Sequence, residues 1–361
     1  MSAPLIKVYP ADLGGCGHYR TIWPGDELER QGASVQVVMP TAPDAEQIQA
    51  LWQGADTDDR RLIDVAHPEA DVVVLQRPLT DTLAGAVPIL QAKGVRVVVE
   101  IDDDFEAISP RNVSWASVDP AKHPRRNRDH LRRACEAADM VVCSTPALAA
   151  RYGKHGRVRI VRNRVPRWYL AVERDEHEGV FVGWSGSLET HPDDLQVTGG
   201  GVARAVTMTG ATFAVIGTGR GVQRALGLSS PPPACGWVPL GKYPYALAQL
   251  DVGIVPLELT PFNQAKSALK MMEMAALGVV PVVSPTDENA RMTKLGVGMT
   301  AGNPRVWSGL IKGLVNDPDL RAGFAARSRE AMRAHTIEGH AEEWFDAWAS
   351  AVNTRAKGSS S

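Results

Sequence analysis

Three consecutive aspartates, Asp102, Asp103 and Asp104 in EIDDDF (100–105), stand at the end of an apolar run that reads as a strand. Carboxylates at a strand tip can bind a divalent metal, orient sugar hydroxyls or accept a proton; they can equally cap the next element. A second stretch, DLGGCGHYR (12–20), follows the first apolar run and sets Gly14, Gly15 and Gly17 beside His18 and Arg20. Glycines let backbone N–H groups approach a ligand closely, and a helix N-terminus behind them favours negative charge. The spacing is not GxGxxG, so a dinucleotide fingerprint is absent. In VGWSGSLETHPDDL (182–195) a strand ends in small residues before His191, and IGTGRG (216–221) repeats that pattern with Arg220. Finally PFNQAKSALKMMEMAALG (261–278) reads as a mostly buried helix, yet carries Lys266, Lys270 and Glu273. On a helix starting near Ser267 these three fall at i, i+4 and i+7 on one stripe, beside an apolar stripe of Leu269, Met272 and Ala276. A Lys270–Glu273 ion pair would be weak and would leave Lys266, next to Asn263, without an explanation.

The elements that must hold these residues follow from hydrophobic pattern. LIKVYP, VQVVMP, DVVVLQ, VRVVVEI, MVVCS and RIVRN, between residues 5 and 163, are short valine- and isoleucine-rich runs of the kind buried on both faces. Helix-like segments such as GDELERQG separate them, with Gly32 placed as a C-terminal stop. After the irregular stretch RVPRWYLAVERDEHEG a second series begins: VFVGWS (180–185), ATFAVIG (211–217), ACGWVP (234–239), LDVGIVP (250–256) and VVPVVS (279–284). The alternation predicts two doubly wound α/β domains, 1–174 and 175–336, then a C-terminal helix and tail over 337–361. Trp344, Phe345 and Trp348 have helical spacing there, and KGSSS at the end reads as disordered. Two such domains in tandem would face a cleft with the carboxyl ends of their strands.

The run DVGIVPLELTPFNQAKSALKMMEMAALGVVPVVS resembles the donor-binding segment of GT-B glycosyltransferases near the retaining, GT4-like families of bacterial and viral type, which carry a similar FN-x-x-KS-x-x-K-x-x-E pattern. The resemblance extends to the glycine loop, to ADMVVCSTPALAARYG and VRIVRNRVP, and to the loop at 183–194. It implies a GT-B fold and a nucleotide-diphosphate sugar as donor. Glu273 would then accept from the ribose hydroxyls, and Lys266 would neutralise the diphosphate as the glycosidic bond breaks. Gly15 and Gly17 would approach the donor, with Asp102 or Asp103 close to the transferred sugar and His18 beside them. Asn263, Ser267, Lys270, His191 and Arg220 complete the expected donor contacts. The family's common E-x7-E pair has Ala265 at its first position, so Asn263, Gln264 or backbone amides must hold the sugar hydroxyls, or the sugar differs. The resemblance further implies that no cofactor and no divalent metal are needed, since side chains and a helix N-terminus carry the charge stabilisation.

The acceptor is expected on the first domain. Lys122, Arg125, Arg126, Arg128, Arg132 and Arg133 gather within residues 122–133 against the single acid Asp129. Such a cluster can track a phosphate backbone while nearby Trp115 stacks on a base, or it can be a solvated helix face. With Arg20, Trp115, Arg125, Arg126 and Arg128 as acceptor contacts, a 5-hydroxymethylpyrimidine in DNA is the leading acceptor. A protein or glycan acceptor, or a non-catalytic two-domain binding protein, are the competing readings. A net charge of −2 excludes a global field drawing the chain onto nucleic acid or lipid. Four scattered cysteines without paired spacing argue against a disulfide framework or zinc site. MSAPLIKVYP lacks a signal-peptide pattern, and no apolar run approaches the roughly 18 residues of a membrane span. The expectation is a cytoplasmic protein, in the host cytoplasm for a viral member.

Overall fold

The structure, a computed structural model, describes residues 3–40, 48–54 and 60–357, with side chains to 353. Gly358 to Ser361 of the expected disordered tail therefore lie outside the described residues. The chain forms two compact units: Met1–Ile108 with Ser114–Asn163 and His340–Ser361, and Ser109–Val113 with Arg164–Gly339. The crossings at 163/164 and 339/340 compare with the divisions at 174/175 and 336/337 read from the sequence.

In chain order the strands are β1 Ile6–Tyr9, β2 Val35–Val37, β3 Ala50–Gln53, β4 Arg61–Val65, β5 Val72–Gln76, β6 Arg96–Ile101, β7 Met140–Cys143, β8 Val158–Ile160, β9 Phe181–Ser185, β10 Thr212–Ile216, β11 Val252–Val255, β12 Val280–Val283 and β13 Met299–Thr300. The first unit holds a six-stranded parallel sheet in the order β2-β1-β5-β6-β7-β8. The second holds a five-stranded parallel sheet, β10-β9-β11-β12-β13. Both are Rossmann-like. β5 and β7 are buried throughout, which explains their unbroken apolar sequence: side chains on both faces leave water. In each sheet the order reverses beside the first strand, between β1 and β5 and between β9 and β11, the place where open α/β sheets bind ligands at their carboxyl ends.

The C-terminal helix Ala341–Ala349 completes the core of the first unit, where Trp344 and Trp348 are fully buried with Ile6, Val8, Val72 and Val98. Truncating a buried tryptophan of this kind costs about 3–5 kcal/mol. The second core joins Val182, Trp184, Val252, Ile254 and Val282 to Trp307, Ile311 and Leu314 of helix Pro304–Asn316.

Several sequence expectations change. ACGWVP is no strand: only isolated bridges join Ala234 to Val215 and Gly236 to Gly217. Prolines at 231–233 and 239 remove ladder donors, and Trp237 stands 85% exposed. The strand expected at 159–163 runs instead from Val158 to Ile160. The antiparallel hairpin β3–β4 has no counterpart in the sequence reading. The four cysteines are free. Among the described residues no helix is long and apolar enough to cross a membrane.

Candidate active site

In the second unit the expected single helix at 261–278 is two. Pro261–Gln264 starts at Thr260, whose hydroxyl accepts from Asn263 N at 3.3 Å, and Pro261 fits the first helical position. The chain then leaves helical geometry and resumes as Leu269–Ala276, stopped before Gly278, whose φ of +73° is left-handed. Lys266 therefore does not share a helical stripe with Lys270 and Glu273. It sits in the break with Ser267, its amine 4.2 Å from the Phe262 ring centroid. The helix carries the other two, at the carboxyl end of β9.

There the Lys270 amine donates to the Ser185 carbonyl at 3.0 Å. The Tyr243 hydroxyl lies 3.0 Å from Ser185 Oγ and donates to Glu273 Oε2 at 3.4 Å. Glu273 is 5% exposed, so its carboxylate is screened from bulk water and strongly directional. Burial, then the Glu273 charge, pushes the Tyr243 phenol well above its ordinary range and keeps it a donor. Tyr243 and Asp194 were not singled out in the sequence, where neither has a motif around it.

Asp194, from the loop after β9, organises the other wall. Its Oδ2 lies 2.7 Å from His191 Nδ1, and its Oδ1 accepts from Glu258 N at 2.9 Å and Asn263 Nδ2 at 2.7 Å. Burial opposes its charge, but these donors outweigh burial and hold its carboxyl below the usual range. His191 is pushed down to about 4 by burial first and by Lys270 next, against the pull of Asp194. Asn263 Oδ1 is buried with no hydrogen-bond partner among the described residues, an acceptor whose desolvation is uncompensated. The segment Ser109–Val113 borders this loop: Asn112 Nδ2 donates to Thr190 O at 2.8 Å, and Arg111 pairs with Asp193 at 2.6 Å. Arg220 is exposed on the loop after β10.

In the first unit the glycine loop follows β1. It was expected to present its N–H groups to a ligand, yet the Gly14 and Gly17 N–H groups donate to Asp12 Oδ1 at 2.8 and 3.1 Å. The loop is thus closed by its own carboxylate. Helical winding begins at Gly15 and passes through a π turn at His18–Ile22 into Trp23–Arg30. Pro24 has no N–H to give the preceding turn, and the wider π turn accommodates it. His18 Nδ1 lies 2.9 Å from Gly14 O, and its ring meets the Trp23 edge. A Cβ on Gly17 would come within 1.9 Å of Asp12 O, whereas one on Gly15 would meet nothing within 4 Å. Gly17→Ala is accordingly expected to cost about 1–3 kcal/mol, and Gly15→Ala to leave the melting temperature unchanged. Equal melting temperatures for the two variants in thermal unfolding would contradict this.

At the carboxyl end of β5, Arg77 adopts a left-handed backbone, φ +49°, unusual for a non-glycine residue. Its guanidinium holds both carboxylate oxygens of Asp102, reaches Asp103 Oδ2 at 3.3 Å and touches Cys16 Sγ at 3.1 Å. Asp102 therefore offers a paired, charge-neutralised carboxylate, while Asp103 is half-buried. Asp104 is structural: Arg151 pairs with it at 2.8 Å and Tyr152 donates to it at 3.3 Å. Burial pushes the Cys16 thiol up to about 12, the nearby Arg77 charge notwithstanding. Among the described residues no three His, Cys, Asp or Glu side chains are grouped so as to hold a metal ion.

Arg20 does not reach any ligand surface. It is fully buried, forked onto Glu100, donating to Val161 O at 2.7 Å and Asn163 Oδ1 at 2.8 Å. The basic segment divides. Lys122, Arg125 and Arg126 are exposed on a loop, Arg128 opens the helix Arg128–Ala137 capped by Asn127, and Arg132 is paired with Glu106 and Asp129. Trp115 carries the Lys122 amine 4.8 Å from its ring centroid.

The fold is GT-B. No protein-family model matches the sequence, and no curated protein matches it. Solved structures do match. Sucrose-phosphate synthase from Thermosynechococcus elongatus superposes with a TM-score of 0.61 at 14% identity, covering 93% of this chain and 96% of that one. Anabaena HepE, in complex with UDP, gives 0.57 at 12% identity over 92% and 95%. TarM gives 0.54 at 14% identity; the match covers 77% of this chain but 54% of TarM, about half its length.

Proposed function

We propose that the protein is a glycosyltransferase of the retaining, GT4-like, bacterial or viral type, moving a sugar from a nucleotide-diphosphate sugar to an acceptor hydroxyl. The observation that carries this reading is the gathering of Glu273, Lys270, Lys266 and His191 at the carboxyl ends of β9 and β11, where the sheet order reverses. A buried carboxylate suits vicinal ribose hydroxyls, and two amines suit a diphosphate. Glu273 accepts from the ribose. Lys266 stabilises the charge that develops on the diphosphate, and the donor phosphate itself takes the proton of the acceptor hydroxyl. Ser267 and Asn263 border the sugar, with Gly15 giving unobstructed approach in the first unit. Asp102, oriented by Arg77, Asp103 and His18 are the first unit's candidates to act on the transferred sugar. No metal is required in this reading, because the lysines supply the positive charge. The chain works in the cytoplasm, of the host for a viral member.

HepE has been captured with UDP and with UDP-glucose, so UDP-sugars are the first donors to test. Incubation with UDP-, GDP- and TDP-sugars should release nucleotide diphosphate for at least one; binding of none would reject the reading. For the acceptor, the exposed Lys122, Arg125 and Arg126, with Arg128 and Trp115, support 5-hydroxymethylpyrimidine DNA. Replacing Arg125, Arg126 and Arg128 by glutamate should weaken transfer to such DNA at least tenfold and flatten its salt dependence by up to about three phosphate contacts. Undiminished transfer, or transfer only to a glycan or protein, would remove the DNA acceptor.

A further inference from the structure

We infer that the Asp194–His191 pair takes up a proton when a nucleotide-diphosphate sugar binds beside Lys266 and Lys270, and that His191 holds that proton against the diphosphate through the reaction. The inference rests on the nucleotide-sugar reading above. Its geometric basis is the way Asp194 is satisfied. The residue is 4% exposed, and both oxygens face donors: Glu258 N and Asn263 Nδ2 on Oδ1, the His191 ring on Oδ2. A carboxylate in that setting only accepts, so Nδ1 carries the imidazole's hydrogen and Nε2 is left as the basic nitrogen. No hydrogen bond reaches Nε2 among the described residues.

The charges around the ring are Lys266 and Lys270 from the 261–278 stretch and Asp194 from its own loop; the neighbouring Asp193 is already tied to Arg111. Burial first, then the Lys270 and Lys266 amines, disfavour a second proton on the ring. A diphosphate seated between the amines reverses their influence, while Asp194 stays fixed behind the ring. The imidazolium then shares its charge between Asp194 and the anion. The proton enters from solvent on binding and returns to it when the nucleotide diphosphate leaves, so none is consumed.

The sign follows from linkage. The bound state has the higher imidazole pKa, so affinity rises as pH falls through the bound-state value and levels off below the free-state value of about 4. Between those limits donor affinity should change by up to about tenfold per pH unit.

The test is calorimetric titration of the intact protein with UDP-glucose near about pH 6, in buffers of different ionisation enthalpy. The diphosphate of this donor is a diester with no proton titrating near neutrality. Uptake of a large fraction of one proton per donor is expected for the wild type, and none for His191→Gln, which should bind the donor more weakly and is titrated at correspondingly higher concentration. Asp194→Asn should reduce the uptake and shift the pH profile of affinity downward. Donor binding without proton uptake, or equal uptake by His191→Gln, overturns the inference and leaves the nucleotide-sugar reading standing. Failure of UDP-, GDP- and TDP-glucose alike to bind overturns both.

Discussion

Replacing Glu100 with alanine is expected to destabilise the protein by about 3–5 kcal/mol, because it strands a buried guanidinium. The Arg20 and Glu100 side chains are 1% and 0% exposed. Glu100 takes both fork nitrogens of Arg20 and a hydrogen bond from Trp348 Nε1 at 3.2 Å, while the Trp344 ring lies 5.4 Å from the guanidinium carbon. Without the carboxylate, Arg20 keeps only the Val161 carbonyl and the Asn163 amide oxygen, two neutral acceptors for a full charge in the core. At about 2–4 °C per kcal/mol for a unit of this size, the melting temperature should fall by roughly 6–20 °C. Glu100→Gln, which keeps an acceptor oxygen, should cost less. The pair Arg20→Met with Glu100→Leu should recover most of the loss, since buried ion pairs exchanged for apolar residues are often neutral. If Arg20 contacted an acceptor instead, Glu100→Ala would impair transfer and leave the melting temperature alone; thermal unfolding separates the two.

Arg20 also shows where sequence reading stops. It follows the glycine loop by three residues, so local context placed it at a ligand. Its partners, Glu100, Val161 and Asn163, are separated from it by 80, 141 and 143 positions, and only the folded sheet brings them together. Strand runs such as VVVLQ were legible because burial on both faces forces a continuous apolar composition, and Gly32 and Gly278 were legible because left-handed caps favour glycine. Arg77 was invisible for the converse reason: its left-handed backbone breaks the residue preference that would have marked it, and its hold on Asp102 spans 25 positions. Asp194 lies in plain view within HPDDL, yet its link to Asn263 spans 69 positions. The periodic pattern at 261–278 was real, but a helix period cannot reveal the break between Gln264 and Leu269, and that break moves Lys266 off the helix.

Glu273→Gln is expected to lower kcat/KM for the nucleotide sugar by roughly 10- to 200-fold, the value of one hydrogen bond to a charged acceptor at about 1.5–3 kcal/mol. The ribose does not change charge during transfer, so the loss should fall on KM and on nucleotide affinity alike, with kcat nearly unchanged. Lys266→Ala should behave differently. In the proposed reaction its amine would oppose charge that grows on the leaving diphosphate, so the loss should fall on kcat, by about 10²–10³-fold. Tyr243→Phe tests the same wall more gently: it removes the 3.4 Å hydrogen bond to Glu273 and the 3.0 Å contact with Ser185 Oγ, and should give a few-fold rise in KM. Steady-state kinetics with nucleotide affinity from calorimetry check all three. A Glu273→Gln variant that bound nucleotide normally but lost kcat would move Glu273 from the ribose to the reacting sugar, and one with unchanged kinetics would remove it from the donor site.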